Sequence, residues 1–345
     1  EWLALEPDWR RLEALLEQRV PFMTWEWQEP WRRHFAADKD LMVFVCRQDA
    51  VVVAILPFIV ERCRRRKTEL RTLKLVGSGL SDQLCLLVDP AVPEAVDSIV
   101  DELAARSTEW DIIELDDIDS EEPSARRYHQ AFDRRGLRIE KTVTSVRPYL
   151  ETSGQDWASF YTRQRSSRTR KRKRNQLRRL QALGTLEVRT VTDPDDYLAG
   201  LDRIIALNER GSYHGQERHR PFDGEAGRGF FREMGVAFAR NSWLLMWLTE
   251  LDGRLIAYEL GLRYQGRHFD YYGGFDSDYF KSSAGSLLKM RSLQACFEDG
   301  VRAVDFLRGS HEWKKQWTDD CRTNVRLTIA NPSLSSRFRC FVQGY

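Results

Sequence analysis

The sequence predicts an α+β protein of two domains, each a mixed, mostly antiparallel sheet flanked by helices. Three observations carry this reading. The 345 residues are too many for one ordinary core and suit two. Strand-like runs are separated by tight-turn pairs such as Asp252-Gly253 and Gln265-Gly266, as in consecutive hairpins. From Leu186 onward the order of periodicities reads β-α-α-β-β-β-α-β-α-β. In that order an antiparallel meander gives way, after a helical crossover, to parallel pairing near the sheet centre.

Taken in order, Trp9 to Leu16 has helical spacing and begins behind Pro7-Asp8. Leu41 to Cys46 and Ala50 to Val60 read as a hairpin around the polar turn Arg47-Gln48-Asp49. A strand ends in Leu84 to Val88, a helix follows from Pro93 to Ala105, and Ile112 to Leu115 is a strand. The helix Ala125 to Arg135 stops at Gly136, and the strand Val143 to Leu150 closes a first domain, 1–150. Residues 151–184 form a connecting segment in which Trp157 to Leu183 reads as one long helix, with Leu177, Leu180 and Leu183 as its apolar stripe and Gly184 as its stop.

The second domain, 185–345, opens with the strand Leu186 to Val191. Asp193-Pro194-Asp195-Asp196 starts a helix that runs to about Leu207, with its acids at the positive end of the helix dipole. A loop containing Tyr213, His214, Gly215, Pro221 and Gly224 leads to a helix from Ala226 to Arg240. Three strands follow, Trp243 to Glu250, Arg254 to Tyr264 and Arg267 to Gly274. The helix Gly285 to Glu298, the strand Ala303 to Leu307, a short helix Glu312 to Trp317 and a last strand Asn324 to Ile329 complete it.

Composition narrows the function. Hydrophobic residues make up 42% and aromatics 11%, enough for packed cores. The longest apolar run, Ala50 to Val60, is far short of a bilayer and is broken by Pro57, so no membrane span is expected. The first residues lack a signal pattern and the six cysteines form no CxxC, which together suggest reduced thiols in a cytoplasmic protein. There is no HExxH, and His214 and His219 are too loosely spaced for a metal site, so no metal is expected. Charge is unevenly placed: ten Arg or Lys and no acid lie between Arg163 and Arg179. Without those ten of its 54 basic residues, the chain carries 44 against 52 acids, a mildly acidic protein with one basic element.

Three stretches carry a family resemblance: Arg165-Ser-Ser-Arg168 through Arg179; Tyr272-Gly-Gly-Phe-Asp276 through Phe280-Lys-Ser-Ser-Ala-Gly285; and Val304-Asp-Phe-Leu-Arg-Gly309 with Glu312-Trp-Lys314 and Trp317. With Pro7-Asp8-Trp9 and Phe22 to Trp31, they resemble the GNAT superfamily of N-acyltransferases, in particular the branch named for bacterial cellulose-biosynthesis acetyltransferases. The Fem-type transferases that build peptidoglycan bridges look like more distant relatives; they have an aromatic-Lys pair similar to Trp313-Lys314 near their active site. The resemblance implies tandem GNAT-like domains, the first degenerate, the second catalytic. It also implies acyl transfer from acyl-CoA, or another acyl thioester such as a carrier protein, to an amine or hydroxyl of a small-molecule acceptor. An aminoacyl-tRNA-dependent transferase and a nucleic-acid-binding module without chemistry are the alternatives. The chain departs from simple GNATs in lacking a clean Arg/Gln-x-x-Gly-x-Gly/Ala phosphate loop.

Such chemistry needs a cradle for the carrier, polarisation of the acyl carbonyl and removal of a proton. Lys281, Ser282, Ser283, Ala284 and Gly285 are small or cationic and open a helix, whose free N–H groups suit phosphate; an ordinary helix cap reads the same way. In this fold a backbone N–H on the splayed central strand polarises the carbonyl, which points to Tyr272, Gly273 and Gly274. Glu259, Asp270 and Asp276 are candidate bases, with His311 an outsider; strand alternation sets His268, Asp270 and Tyr272 on one face. Arg308 ends a buried strand and Lys314 follows, both candidates for substrate anions or the oxyanion, with Glu312 as a structural partner for Arg308 and a solvated helix as the plain setting of Lys314. Arg168, Arg170, Lys171, Arg172, Lys173 and Arg174 repel one another and gain from an anionic partner: tRNA, a carrier protein, or a membrane or polysaccharide surface; a soluble linker is the plain alternative.

Overall fold

The computed structural model describes residues 1–65, 68–210, 222–333 and 336. The chain divides into two compact units, 1–146 with 322–345, and 147–321. The loop with Tyr213, His214, Gly215 and His219, and the sixth cysteine Cys340, lie outside the described residues.

The first unit opens with α1 (Glu6–Leu15) and α2 (Trp25–Phe35). Trp9 and Leu12 fill one face of α1, and the Trp9 indole N–H donates to the carbonyl of Met23 at 2.7 Å. Helix α2 escaped the sequence reading because Pro30 lies inside it, yet Trp27 and Trp31 recur one turn apart and are buried. The remaining elements are β1 (Asp40–Gln48), β2 (Val51–Arg65), β3 (Thr68–Leu75), β4 (Leu87–Val88), α3 (Ala95–Ala105), β5 (Ile112–Asp119), α4 (Pro123–Arg134) and the start of β6 (Ile139–Glu151). Strand β3 was also missed, since Glu69, Arg71 and Lys74 interrupt its buried Leu70, Leu73 and Leu75. The hairpin β1–β2 is antiparallel, as is β2–β3, and β3 runs parallel to β5.

In the second unit, the segment read as one helix is two. Helix α5 (Trp157–Gln164) ends at Arg165 and α6 (Ser167–Gln181) begins behind Ser166. Ser166 is extended and its hydroxyl accepts from Thr169 N–H at 3.2 Å, an N-cap inside the presumed helix. Leu177 and Leu180 pack on the core, but Leu183 lies past the helix end and is exposed. Then come β7 (Leu186–Val191), α7 (Pro194–Glu209), α8 (Gly224–Arg240), β8 (Leu244–Leu251), β9 (Arg254–Tyr264), β10 (Arg267–Phe275), α9 (Ala284–Glu298), β11 (Ala303–Asp305) and α10 (Glu312–Lys315). Strands β7 to β10 form the antiparallel meander, and β10 pairs with β11 in parallel. The end of β6, Tyr149 to Glu151, lies antiparallel on the far side of β11.

The two faces of this sheet differ. On β9, the Tyr258 hydroxyl meets Asn208 of α7, while its neighbour Glu259 meets Ser292 of α9. Helices α7 and α8 therefore cover one face and α9 the other, as strand alternation requires. The last strand, β12 (Cys321–Ala330), belongs to the first unit, where Asn324 to Ala330 run antiparallel to β5. The sequence boundaries had placed it in the second domain; no local pattern reports which sheet edge a strand will join.

Candidate active site

Strands β10 and β11 pair only between Arg267–Phe269 and Ala303–Asp305. Beyond that point β11 ends while β10 continues to Phe275, hydrogen-bonded to β9 alone. A gap thus opens beside Asp270 to Phe275, the edge along which a ligand's backbone-like groups can pair. At the mouth of this gap β10 has a bulge: Asp270 pairs with Gly261 and Tyr272 with Leu260, leaving Tyr271 as the extra residue. The bulge corrects the expected alternation. His268 and Asp270 face α9, whereas Tyr272 packs its ring on Phe231 and Phe222 at 5.8 and 6.1 Å, on the α8 side.

Under the bulge lies a buried charged cluster. Lys289 Nζ is 2.6 Å from Asp270 Oδ2 and 2.8 Å from Glu259 Oε2. The Ser292 hydroxyl donates to Glu259 Oε2 at 2.8 Å, and His268 Nε2 lies 3.8 Å from Glu259 Oε1. Glu259, His268 and Asp270 are all buried, and a Cβ on Gly261 would meet the His268 ring at 2.1 Å, so glycine is required there. Burial pushes Glu259 up, but Lys289 and His268 outweigh it and hold that carboxyl below its ordinary value. Asp270 goes the other way: burial raises it, Lys289 opposes and Glu259 adds to the rise. Against burial, the two carboxylates hold the Lys289 ammonium above its ordinary value.

Lys289 was not anticipated. Residue 289 lies one turn before the buried Leu293 and three residues before the buried Ser292, so a lysine on that stripe was the available signal.

A second buried charge fixes the gap. Asp305 Oδ2 is 2.7 Å from Arg147 and 3.5 Å from Arg267, and its Oδ1 accepts from Leu307 N–H at 2.8 Å. Leu307 and Gly309 both have positive φ, +58° and +106°, so the chain leaves β11 in a tight left-handed turn. The predicted strand to Leu307 accordingly stops at Asp305. Lys314 closes the turn, donating to the carbonyls of Leu307 at 3.0 Å and Arg308 at 2.8 Å. It is 4% exposed, which corrects the solvated-lysine reading and gives it a structural occupation. Glu312 pairs with Lys315 at 2.6 Å, not with Arg308. The Trp313 ring lies over both Lys289 and Lys314, at 5.3 and 5.6 Å. His311 is the N-cap residue of α10.

Asp276 is removed from the cluster. Its Oδ1 caps a 3-10 turn through Asp278 N–H at 3.0 Å and its Oδ2 pairs with Arg254 at 2.6 Å. That turn, Ser277–Ser282, leads through Ser283, with φ +58°, into α9. Lys281 is exposed. At Gly285 a Cβ would approach the Phe275 ring to 2.8 Å, so packing already accounts for this glycine. Helix α6 lies against the turn: Gln176 donates to Ser283 Oγ at 2.8 Å and the Lys173 ammonium to Ser286 Oγ. Burial, then Arg172 and Arg165, push Lys173 down to about 8. Arg170 also turns inward, donating to the carbonyls of Thr162 and Arg165. Arg168, Lys171, Arg172 and Arg174 are exposed, as are Arg178 and Arg179; among the described residues none of the six has a carboxylate partner.

Among the described residues no group of His, Cys, Asp and Glu is placed to hold a metal, and no helix is long and apolar enough to cross a membrane. The fold is that of tandem GNAT-like proteins, each unit a mixed sheet flanked by helices. Residues 167–315 match the family described as an acetyltransferase (GNAT) domain. The whole chain is similar in fold to FemX, with TM-score 0.62 and 10% identity, covering 97% of this chain and 98% of that one. A tandem GNAT protein from the clavulanic acid biosynthesis pathway gives 0.54 and 14%, covering 96% of both. The C-terminal domain of a putative lysylphosphatidylglycerol synthetase from Agrobacterium fabrum gives 0.53 and 13%, covering 96% and 94%. At these identities the likeness is one of fold. No curated protein matches the sequence.

Proposed function

We propose that the 147–321 unit transfers an acyl group from a phosphate-bearing carrier, acyl-CoA or another acyl thioester, to an amine. The observation that carries this reading is the gap between β10 and β11 with a bulge and a buried carboxylate at its mouth. The acyl carbonyl lies along the open edge of β10, where backbone N–H groups between Tyr271 and Gly274 polarise it. The acceptor nitrogen attacks the carbonyl carbon, the C–N bond forms and the carrier–acyl bond breaks. Asp270 takes the proton that the nitrogen loses and returns it to the departing carrier. Asp270 is favoured over Glu259 because Glu259 already accepts from Ser292 and Lys289 and has His268 beside it. An amine is favoured over a hydroxyl because two carboxylates share one lysine, and the surplus negative charge suits a nitrogen that becomes cationic as it attacks.

The carrier's phosphates belong at the turn 281–285, where Lys173 and Gln176 reach from α6. The six exposed cations of α6 favour a second form of this reading, in which the carrier is a longer polyanion such as an aminoacyl-tRNA or an acidic carrier protein. Native mass spectrometry of the full chain against acetyl-CoA, acyl carrier protein and aminoacyl-tRNA, followed by turnover with a panel of amines, tests both. One carrier should bind and lose its acyl group. Binding with steep salt dependence and no transfer from any donor would instead favour a nucleic-acid-binding module without chemistry.

A further inference from the structure

Helix α9 carries a cation into the layer beneath the sheet, at a place where apolar packing alone would be cheaper. A buried ammonium is tolerated only with close counter-charges and good geometry, and Lys289 has two, at 2.6 and 2.8 Å. The carboxylates are not equivalent. Glu259 is held from three directions, by Lys289, Ser292 and, less closely, His268. Asp270 has the shorter contact to the lysine and sits on the residue before the bulge, where β10 leaves β11. On its other side, the Lys289 ammonium lies against the Trp313 ring, and Trp313 rests on Phe306 at 5.9 Å. The lysine is thus clamped between the two carboxylates of the sheet and the aromatic ring that follows β11.

We propose that Lys289 is a positioning residue for acyl transfer: it fixes the Asp270 carboxylate at the β10 bulge, with Glu259 as the fixed anion that keeps the lysine in place. The proposal rests on the reading of Asp270 as the base. Both sides of the gap then meet at one ammonium, so the base and the turn after β11 keep their spacing when a ligand enters. The groups around Asp270 are Glu259 from β9, His268 from its own strand, and Lys289 and Cys296 from α9, the Cys296 thiol being pushed up to about 12 by burial and by Glu259. Of these, only Lys289 is in contact with the Asp270 carboxylate as a cation.

The test is carbon NMR of the full chain labelled at Asp side-chain carboxyls, with Asp270→Asn to assign the signal. In Lys289→Met the Asp270 midpoint should rise by about one pH unit or more, and Lys289→Arg should return it most of the way. The acid limb of amine-dependent thiol release from acetyl-CoA should move with it. A midpoint that stays in place in folded Lys289→Met overturns the role of Lys289, whatever the activity. A midpoint that moves while the acid limb does not overturns Asp270 as the base. The converse measurement needs no lysine variant: the Lys289 ε-carbon titration should fall by about one unit or more in Asp270→Asn, and an unchanged value overturns the pairing.

Discussion

At the residue scale, the candidate bases separate by what already touches them. Asp276 is a turn cap paired with Arg254, so Asp276→Asn should lower the melting temperature and leave most of the turnover. Asp270→Asn should remove most of the turnover. A carboxyl raised by folding favours the folded state only while protonated, and that contribution is lost as pH rises from the ordinary carboxylate value, about 4, through the folded one. At neutral pH that contribution is absent, but the charged Asp270 is one of the two anions beside the buried Lys289 ammonium. Asp270→Asn leaves that ammonium with Glu259 alone, so the melting temperature should fall while turnover drops about a hundredfold or more. Glu259, held low, contributes stability that is lost on acidification instead. Calorimetry of both variants between pH 5 and 8 beside rate measurements checks the pair. Lys314 was legible as a residue to watch but not in its setting, because burial comes from the turn it closes. Lys314→Ala leaves the carbonyls of Leu307 and Arg308 without that donor, and should cost about 1–3 kcal/mol in chemical denaturation.

At the scale of elements, α6 has two jobs on two faces. Its inner face docks through Lys173, Gln176, Leu177 and Leu180, and its outer face presents Arg168, Lys171, Arg172, Arg178 and Arg179 at helical spacing. Changing Lys171, Arg172 and Arg178 to Gln should weaken binding of a polyanionic carrier and flatten its dependence on salt, with no loss of helix content. Lys173 answers to pH. Its ammonium is pushed down to about 8, so it loses its charge as pH rises from about 7 to 9, and affinity for coenzyme A as a probe should fall across that window. Isothermal titration on native protein and Lys173→Met shows whether the fall depends on this residue; an identical profile in the two would remove Lys173 from the phosphate site.

At the scale of the molecule, each unit depends on residues distant in sequence. Asp305 holds Arg147, 158 residues away, with neither side chain exposed to more than 2%. Asp305→Ala leaves the buried guanidinium short of its anion and should destabilise the second unit by about 3–5 kcal/mol, read as an early transition in denaturant. In the first unit, β12 fills the place beside β5. Truncation after Asp320 uncovers the β5 edge and its buried Ile113, Leu115 and Ile118, and the first unit should lose protection from hydrogen exchange.

The local pattern by itself determined the α+β class, the β7 to β10 meander, the helix after it and the basic element, because turn pairs, periodicity and charge are properties of neighbours in the chain. It also singled out Glu259 and Asp270, since acids inside apolar strands stand out against their surroundings. What it left undecided depends on contacts between distant segments. The single residue of the Tyr271 bulge, which turns Tyr272 to the opposite face from Asp270, is a property of pairing with β9. The assignment of β12 to the first sheet follows from which edge it meets. Lys289 looked like an ordinary lysine of an amphipathic helix; only the sheet it faces, with two carboxylates within 2.8 Å, makes its burial physically possible.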